Sequence, residues 1–283
     1  MEKQFVLTGF ADEISADTTA QLEGLQKLGV THIEPRNIDG KNIIKLTDEE
    51  VAAFKAKLEA YGISVSSIGS PIGKIKITDD FDAHFEEFKR TVEIAKMLDT
   101  KYIRMFSFFV DEAEADAKTD EVVEKLSKMV AYAEKHDVIL LHENEKGIYG
   151  NIARRCKTLF DRIVSPNFKA VFDFSNFVEC AQDTLEAYDM LKSHIAYVHI
   201  KDCKNGGGVV PAGYGNGHLK EILSDLYKNG YHGFLSLEPH LGGFTLPDEA
   251  ACGTLVMSFD DGAPRKFAFA HKALTDLLAS IEQ

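Results

Sequence analysis

The stretch VVEKLSKMVAYAEKHDVILLHE, residues 122–143, contains the unit from which this chain is built. Its first part spaces Val122, Leu126, Met129, Val130 and Ala133 three and four residues apart, the stripe of a helix with one buried face. Its last six residues, VILLHE (138–143), form a short β-rich apolar run that ends on a carboxylate. The whole reads as a helix that leads into a buried strand.

Working outward, the same alternation recurs along the chain. Strands are predicted at 4–10, 31–36, 63–69 and 101–108 before this unit, and at 169–174, 195–201 and 233–238 after it. A second amphipathic pattern covers 85–98. Thr47 followed by Glu50 predicts a capping box that opens a helix over about 47–61. Gly29, Gly62 and Gly230 each stand past a helical pattern and before a strand, where a left-handed C-cap is expected. Strands that alternate with helices imply an α/β fold with parallel strands, and eight of them imply a single (β/α)8 TIM barrel over residues 1–283. After the eighth strand, residues 239–264 read as a long glycine-containing loop over the barrel mouth, followed by a last helix at about 265–282.

Composition limits the function. The 283 residues are 45% hydrophobic and 27% charged, the balance of a soluble globular protein. The 45 acidic residues outnumber 32 basic ones, a net charge of −13, so a polyanion meets repulsion and nucleic acid is not an expected partner. No apolar run is long enough for a bilayer, and MEKQFVLTGFADE has no signal-peptide pattern, so no membrane partner is expected. Cys156, Cys180, Cys203 and Cys252 lack metal or disulfide spacing and read as reduced thiols of a cytoplasmic protein. Whether the chain forms a homo-oligomer is left open.

Catalytic groups of such barrels sit at the C-terminal ends of strands. Four predicted strands end on metal-ligand types: Glu143, Asp173, His199 and Glu238. Period two puts Ile139 and Leu141 on the face of Glu143, Tyr197 on that of His199, and Phe234 and Ser236 on that of Glu238. If the ligands point inward, these residues fill the barrel beneath them. One such carboxylate alone is as well read as a helix N-cap or a solvated loop residue, and one such histidine as a core residue. Four on successive strands require a common partner, and a cation supplies one. Three carboxylates and an imidazole suit Mn²⁺, Mg²⁺, Co²⁺ or Zn²⁺. Glu34 and Arg36 end the second strand, and Arg104 lies on the fourth. Lys74, Arg104 and Lys201 are read either as holding a substrate phosphate or carboxylate or as structural ion pairs. His32 and His142 are read as packing locally.

At these positions the sequence resembles the xylose isomerase-like superfamily of sugar isomerases and epimerases. The resemblance rests on His142-Glu143-Asn144, Phe172-Asp173-Phe174-Ser175-Asn176, Val198-His199-Ile200-Lys201-Asp202 and Leu237-Glu238-Pro239-His240. The glycine-rich Pro211–Gly217 segment and the Asn229–Phe234 approach to the last strand support it. The resemblance implies that Glu143, Asp173, His199 and Glu238 bind a divalent metal, and that Glu143 and Glu238 also form an acid/base pair. It implies isomerisation or epimerisation of a small sugar, sugar phosphate or polyol ketone by proton transfer through a metal-held enediolate. Glu34, Arg104, Asn176, Lys201 and His240 are expected around the substrate. The sequence departs from many relatives at Glu145 and Asn176, where they carry histidine, and at Tyr214, where they carry an acid. Three other readings stand beside this one: an inosose-type dehydratase with the same metal site, a non-catalytic sugar-binding barrel, and endonuclease IV-like DNA cleavage. The last is disfavoured by the acidic charge and the absent histidines.

Overall fold

The computed structural model describes residues 4–281 and shows eight parallel barrel strands. They are β1 Val6–Gly9, β2 His32–Ile33, β3 Ser64–Val65, β4 Tyr102–Met105, β5 Ile139–Glu143, β6 Phe168–Asp173, β7 Ile195–Ile200 and β8 Phe234–Leu237. Regular ladders join β4 through β8 in order and return from β8 to β1, with Val6 opposite Phe234. A parallel pair links β2 to β3. Isolated hydrogen bonds close the remaining gaps: Glu34 N donates to Gly9 O at 3.0 Å, Ile68 N to Tyr102 O at 2.9 Å, and Arg104 N to Ile68 O at 3.0 Å. The result is a TIM barrel.

β2 and β3 are shorter than the predicted 31–36 and 63–69 for a local reason. Pro35 has no N–H to donate, so the β2 ladder stops at Ile33. Past β3 the chain rejoins β4 as an isolated bridge, Ile68–Ile103, rather than as a continued ladder.

The helices are α1 Thr18–Lys27, α2 Asp48–Tyr61, α3 Phe81–Met97, α4 Thr119–Lys135, α5 Ala153–Arg162, α6 Phe174–Glu179, α7 Thr184–Leu191, α8 Leu219–Lys228, α9 Glu249–Met257 and α10 Ala263–Ala279. The Thr47–Glu50 capping box opens α2, and Gly62 closes it in the left-handed region at φ 65. Gly29 and Gly230 are left-handed as well, at φ 71 and 75.

The segment expected to be a loop over the mouth, 239–264, is only partly that. His240–Phe244 stays at the mouth, but Asp248 then caps α9, which is kinked at Gly253. Lys27 of α1 reaches the Ser258 carbonyl, so the far end of the segment packs outside the barrel. The last helix begins at Ala263, and the expected end at 282 lies outside the described residues.

One large apolar core fills the space between strands and helices. A smaller one, Leu141, Val171 and Tyr197 with Ile139, Tyr102 and Phe234 against it, fills the barrel interior. These inward residues form the floor of the site.

Candidate metal centre and active site

Ligand-capable atoms of Glu143, Asp173, His199 and Glu238 all lie within 4.8 Å of one another, at the C-terminal ends of β5 to β8. His199 Nδ1 is 3.1 Å from Glu143 Oε1, 3.6 Å from Glu238 Oε2 and 3.9 Å from Asp173 Oδ2. Local chemistry places each group. Asn144 clamps the ends of β5 and β6, its side chain accepting from Asp173 N at 3.0 Å and donating to Asp173 O at 2.9 Å. Asp173 Oδ1 caps α6 by accepting from Asn176 N at 2.8 Å, while Oδ2 turns to the cluster. Asp173 thus caps α6 through Oδ1 and leaves Oδ2 in the cluster.

The cations expected near the substrate are buried among these acids. Arg104 Nη1 pairs with Glu143 Oε2 at 3.2 Å. Lys201 Nζ bridges Glu238 Oε2 at 2.8 Å and Asp173 Oδ2 at 3.1 Å. Asn176 donates its amide to Glu143 Oε1 at 3.2 Å and to the Asn144 carbonyl at 2.9 Å. His240 Nε2, half-exposed, approaches Glu238 Oε1 at 3.5 Å and Glu13 Oε1 at 3.2 Å. Glu34 is fully buried beneath His199. Lys74 stands apart at the rim, paired with Glu145 at 2.9 Å. His142 packs in the core and bonds Ser107 Oγ at 2.9 Å, as read from the sequence.

Arg36, a weaker candidate at the end of the second strand, joins the site with three residues not read from the sequence as site residues: Phe10, Asp12 and Glu13. Arg36 Nη1 reaches Glu238 Oε1 at 3.2 Å. Asp12 grips the Arg36 guanidinium at 2.9 and 3.1 Å. Arg36 and Arg104 both stack on Phe10, at 4.8 and 4.9 Å from its ring centre. Phe10, Asp12 and Glu13 follow directly on β1, so the strand-end rule that found Glu143 would have found them too.

Charges in this buried site are strongly perturbed. Burial alone would raise the Glu143 carboxyl, but His199 and Arg104 bring it down to about 2. Burial likewise opposes ionisation of Glu238, and Lys201 and His199 hold it well below the carboxylate range. Asp173 goes the other way, raised to about 7 by burial and by Glu143 and Glu238, against the pull of Lys201. Burial would lower His199, yet Glu143 and Glu34 carry it to about 10.

The residues present fit a divalent cation. Both ring nitrogens of His199 and Oδ2 of Asp173 are buried with no aligned hydrogen-bond partner. Four buried carboxylates, Glu34, Glu143, Asp173 and Glu238, face two buried cations, Arg104 and Lys201. Two positive charges are wanting among these fully buried groups; the upward shifts of His199 and Asp173 put protons in their place, and a divalent ion would displace those protons.

A TIM barrel with an acid-rich, histidine-containing cluster at its C-terminal strand ends is a class of protein built for small-molecule chemistry. The model of the family described as xylose isomerase-like TIM barrel matches residues 22–254, and the chain belongs to this family. Among curated proteins none matches. Three solved structures share the fold. The probable 3-DHS dehydratase AsbF of Bacillus anthracis is 18% identical at a TM-score of 0.75, over 96% of this chain and 99% of that one. The IOLI protein with a binding zinc atom is 17% identical at 0.77, over 98% and 99%. An L-ribulose 3-epimerase is 18% identical at 0.73, over 98% and 95%. Among the described residues, no helix is long and apolar enough to cross a membrane.

Proposed function

We propose that this chain, acting as one barrel domain, is a divalent-metal-dependent isomerase or epimerase of a small sugar, sugar phosphate or polyol ketone. The observation that carries the reading is the convergence of Glu143, Asp173, His199 and Glu238, two of them glutamates held ionised in a buried site. These four would hold the ion. When bound, it would polarise a carbonyl and its neighbouring hydroxyl and so acidify the adjacent C–H bond.

The protein groups do the rest. Glu238, ionised and steadied by Lys201 and Arg36, takes the proton from that carbon, which leaves an enediolate. In isomerisation the same carboxyl returns the proton to the adjacent carbon, while the hydroxyl proton passes to the former carbonyl oxygen. In epimerisation Glu143 delivers a proton to the opposite face; held ionised by His199 and Arg104 in the free site, it must first take up one proton as the substrate binds. Arg104 and Lys201, buried against these carboxylates, place positive charge where negative charge develops. The dehydratase reading shares the first step. It is favoured by the likeness to AsbF and by Lys201, an ammonium placed to assist departure of a hydroxyl. The four cysteines, all free, agree with a reducing, cytoplasmic setting.

The test is incubation of metal-loaded protein in heavy water with free and phosphorylated sugars and polyol ketones. Solvent deuterium at a carbon next to the carbonyl supports proton transfer. Loss of water identifies a dehydratase. A ligand that binds yet shows neither change refutes the enzyme reading in favour of a sugar-binding barrel.

A further inference from the structure

Glu34 has no task in the chemistry derived above. It is fully buried on the inner face of the barrel, just past β2. Its Oε2 accepts from Ser236 Oγ at 2.6 Å and from Tyr197 OH at 2.9 Å, and lies 3.3 Å from His199 Nε2. Tyr197 OH also meets Ser66 Oγ at 2.9 Å, and Ser66 Oγ meets Thr8 Oγ1 at 2.8 Å. Hydroxyls from four sides of the barrel thus converge below the histidine and fix the carboxylate.

The chemistry of imidazole makes this placement consequential. A neutral ring has one N–H and one lone pair, on different nitrogens. Nδ1 is the nitrogen that faces Glu143, Glu238 and Asp173. A ring that serves a cation there must present its lone pair at Nδ1, which puts the proton on Nε2. A buried N–H needs an acceptor, and the carboxylate beside Nε2 is Glu34. The present contact is close but not aligned as a hydrogen bond, and such contacts commonly tighten when a site is loaded.

Resting on the metal-centre reading, we propose that Glu34 is a positioning residue: it holds His199 in the Nε2–H tautomer and so commits Nδ1 to the metal. It is not a substrate contact, because it lies on the far side of the imidazole from the other ligands with no exposed surface. Its charge also makes the ring a stronger donor.

The test uses full-length protein labelled with ¹⁵N-histidine and titrated with ¹¹³Cd²⁺, with His199→Asn to assign the ring signals. The proposal expects cadmium coupling at Nδ1 of His199, while Nε2 keeps its proton. Coupling at Nε2 overturns it without any mutant. Affinity for Cd²⁺ and Zn²⁺, measured by competition with a fluorescent chelator, should fall roughly 10–100-fold in Glu34→Ala. It should fall less in Glu34→Gln, whose amide oxygen still accepts the N–H. A folded Glu34→Ala that binds within twofold of the original chain also overturns the proposal. An original chain that binds neither ion refutes the metal centre itself and this proposal with it, whereas binding that ignores Glu34 refutes the proposal alone.

Discussion

Asp173→Asn and Glu238→Gln each replace a buried carboxyl by an amide with little change of shape, and the structure predicts that they fail differently. Asp173 Oδ1 accepts the Asn176 N–H at 2.8 Å, and an asparagine oxygen can keep that cap. The loss falls on Oδ2, which faces Lys201 at 3.1 Å and the other ligands. Outer partners of metal ligands are worth roughly 10–100-fold in affinity, and a direct ligand is worth at least as much. Asp173→Asn should therefore need roughly a hundredfold more metal and then recover most of its turnover. Glu238→Gln keeps an oxygen near Lys201 and Arg36 but cannot take a proton. Loss of a positioned base costs roughly 10²–10⁴-fold, about 3–5 kcal/mol of barrier. Occupancy is followed separately, by thermal shift: metal at a hundred times its dissociation constant stabilises by about 2.7 kcal/mol, roughly 4–5 °C in a chain of this size. Turnover is then compared at equal occupancy. If both variants recover equally, neither residue moves a proton, and the role passes to His240, Lys201 or Glu145.

Other consequences are structural. Gly73, left-handed at φ 87, donates its N–H to His84 Nε2 at 2.8 Å; His84→Leu strands that donor and should cost about 1–3 kcal/mol in urea unfolding, and an unchanged midpoint would contradict it. The Asp202 carboxylate accepts from the backbone of Cys203, Gly213, Gly215 and Gly217 at 2.8–3.1 Å, and a Cβ at Gly215 or Gly217 would run into it. Asp202→Ala and Gly215→Ala should each speed amide exchange across 203–217 while leaving β5 protected; slow exchange in both would show that this carboxylate does not hold the loop. Burial lowers the His142 imidazole from 6.5 to about 4, so the fold keeps it neutral while the unfolded chain takes up a proton. Its contribution is complete above pH 6.5 and fades as the pH falls toward 4, by about 3 kcal/mol. The stability gap between the original chain and His142→Asn should shrink by that amount from pH 7 to 4, and a constant gap would refute the assignment.

Much of this molecule is local and therefore legible in its sequence. A capping box needs only Thr47 and Glu50, a left-handed stop needs only Gly62, and a barrel strand needs only a short apolar run between helices. Because side chains alternate along a strand, counting by twos from Leu141 to Glu143 or from Tyr197 to His199 separated the interior floor from the ligands above it. Four ligand types recurring one β/α unit apart then implied a common centre.

What lies across the barrel is not local. Glu34 and Arg36 share a face of one short segment, yet one sits under His199 and the other grips Glu238 from the rim. That difference depends on the height of β2 against β1 and β3, which closure of the whole sheet sets and Pro35 adjusts. Which nitrogen of His199 meets the acids, and that Lys201 lies between Asp173 and Glu238, depend on the stagger of β6, β7 and β8 together. The segment after β8 shows the same limit. Its glycines read as loop, but α9 is stabilised by the side of the barrel, a surface that exists only once α1 and α10 are in place. Propensity acts over a few residues, whereas a closed barrel is a constraint on all eight strands at once, so which acids and which histidine cluster was legible in the sequence and their partners were decided by the tertiary structure.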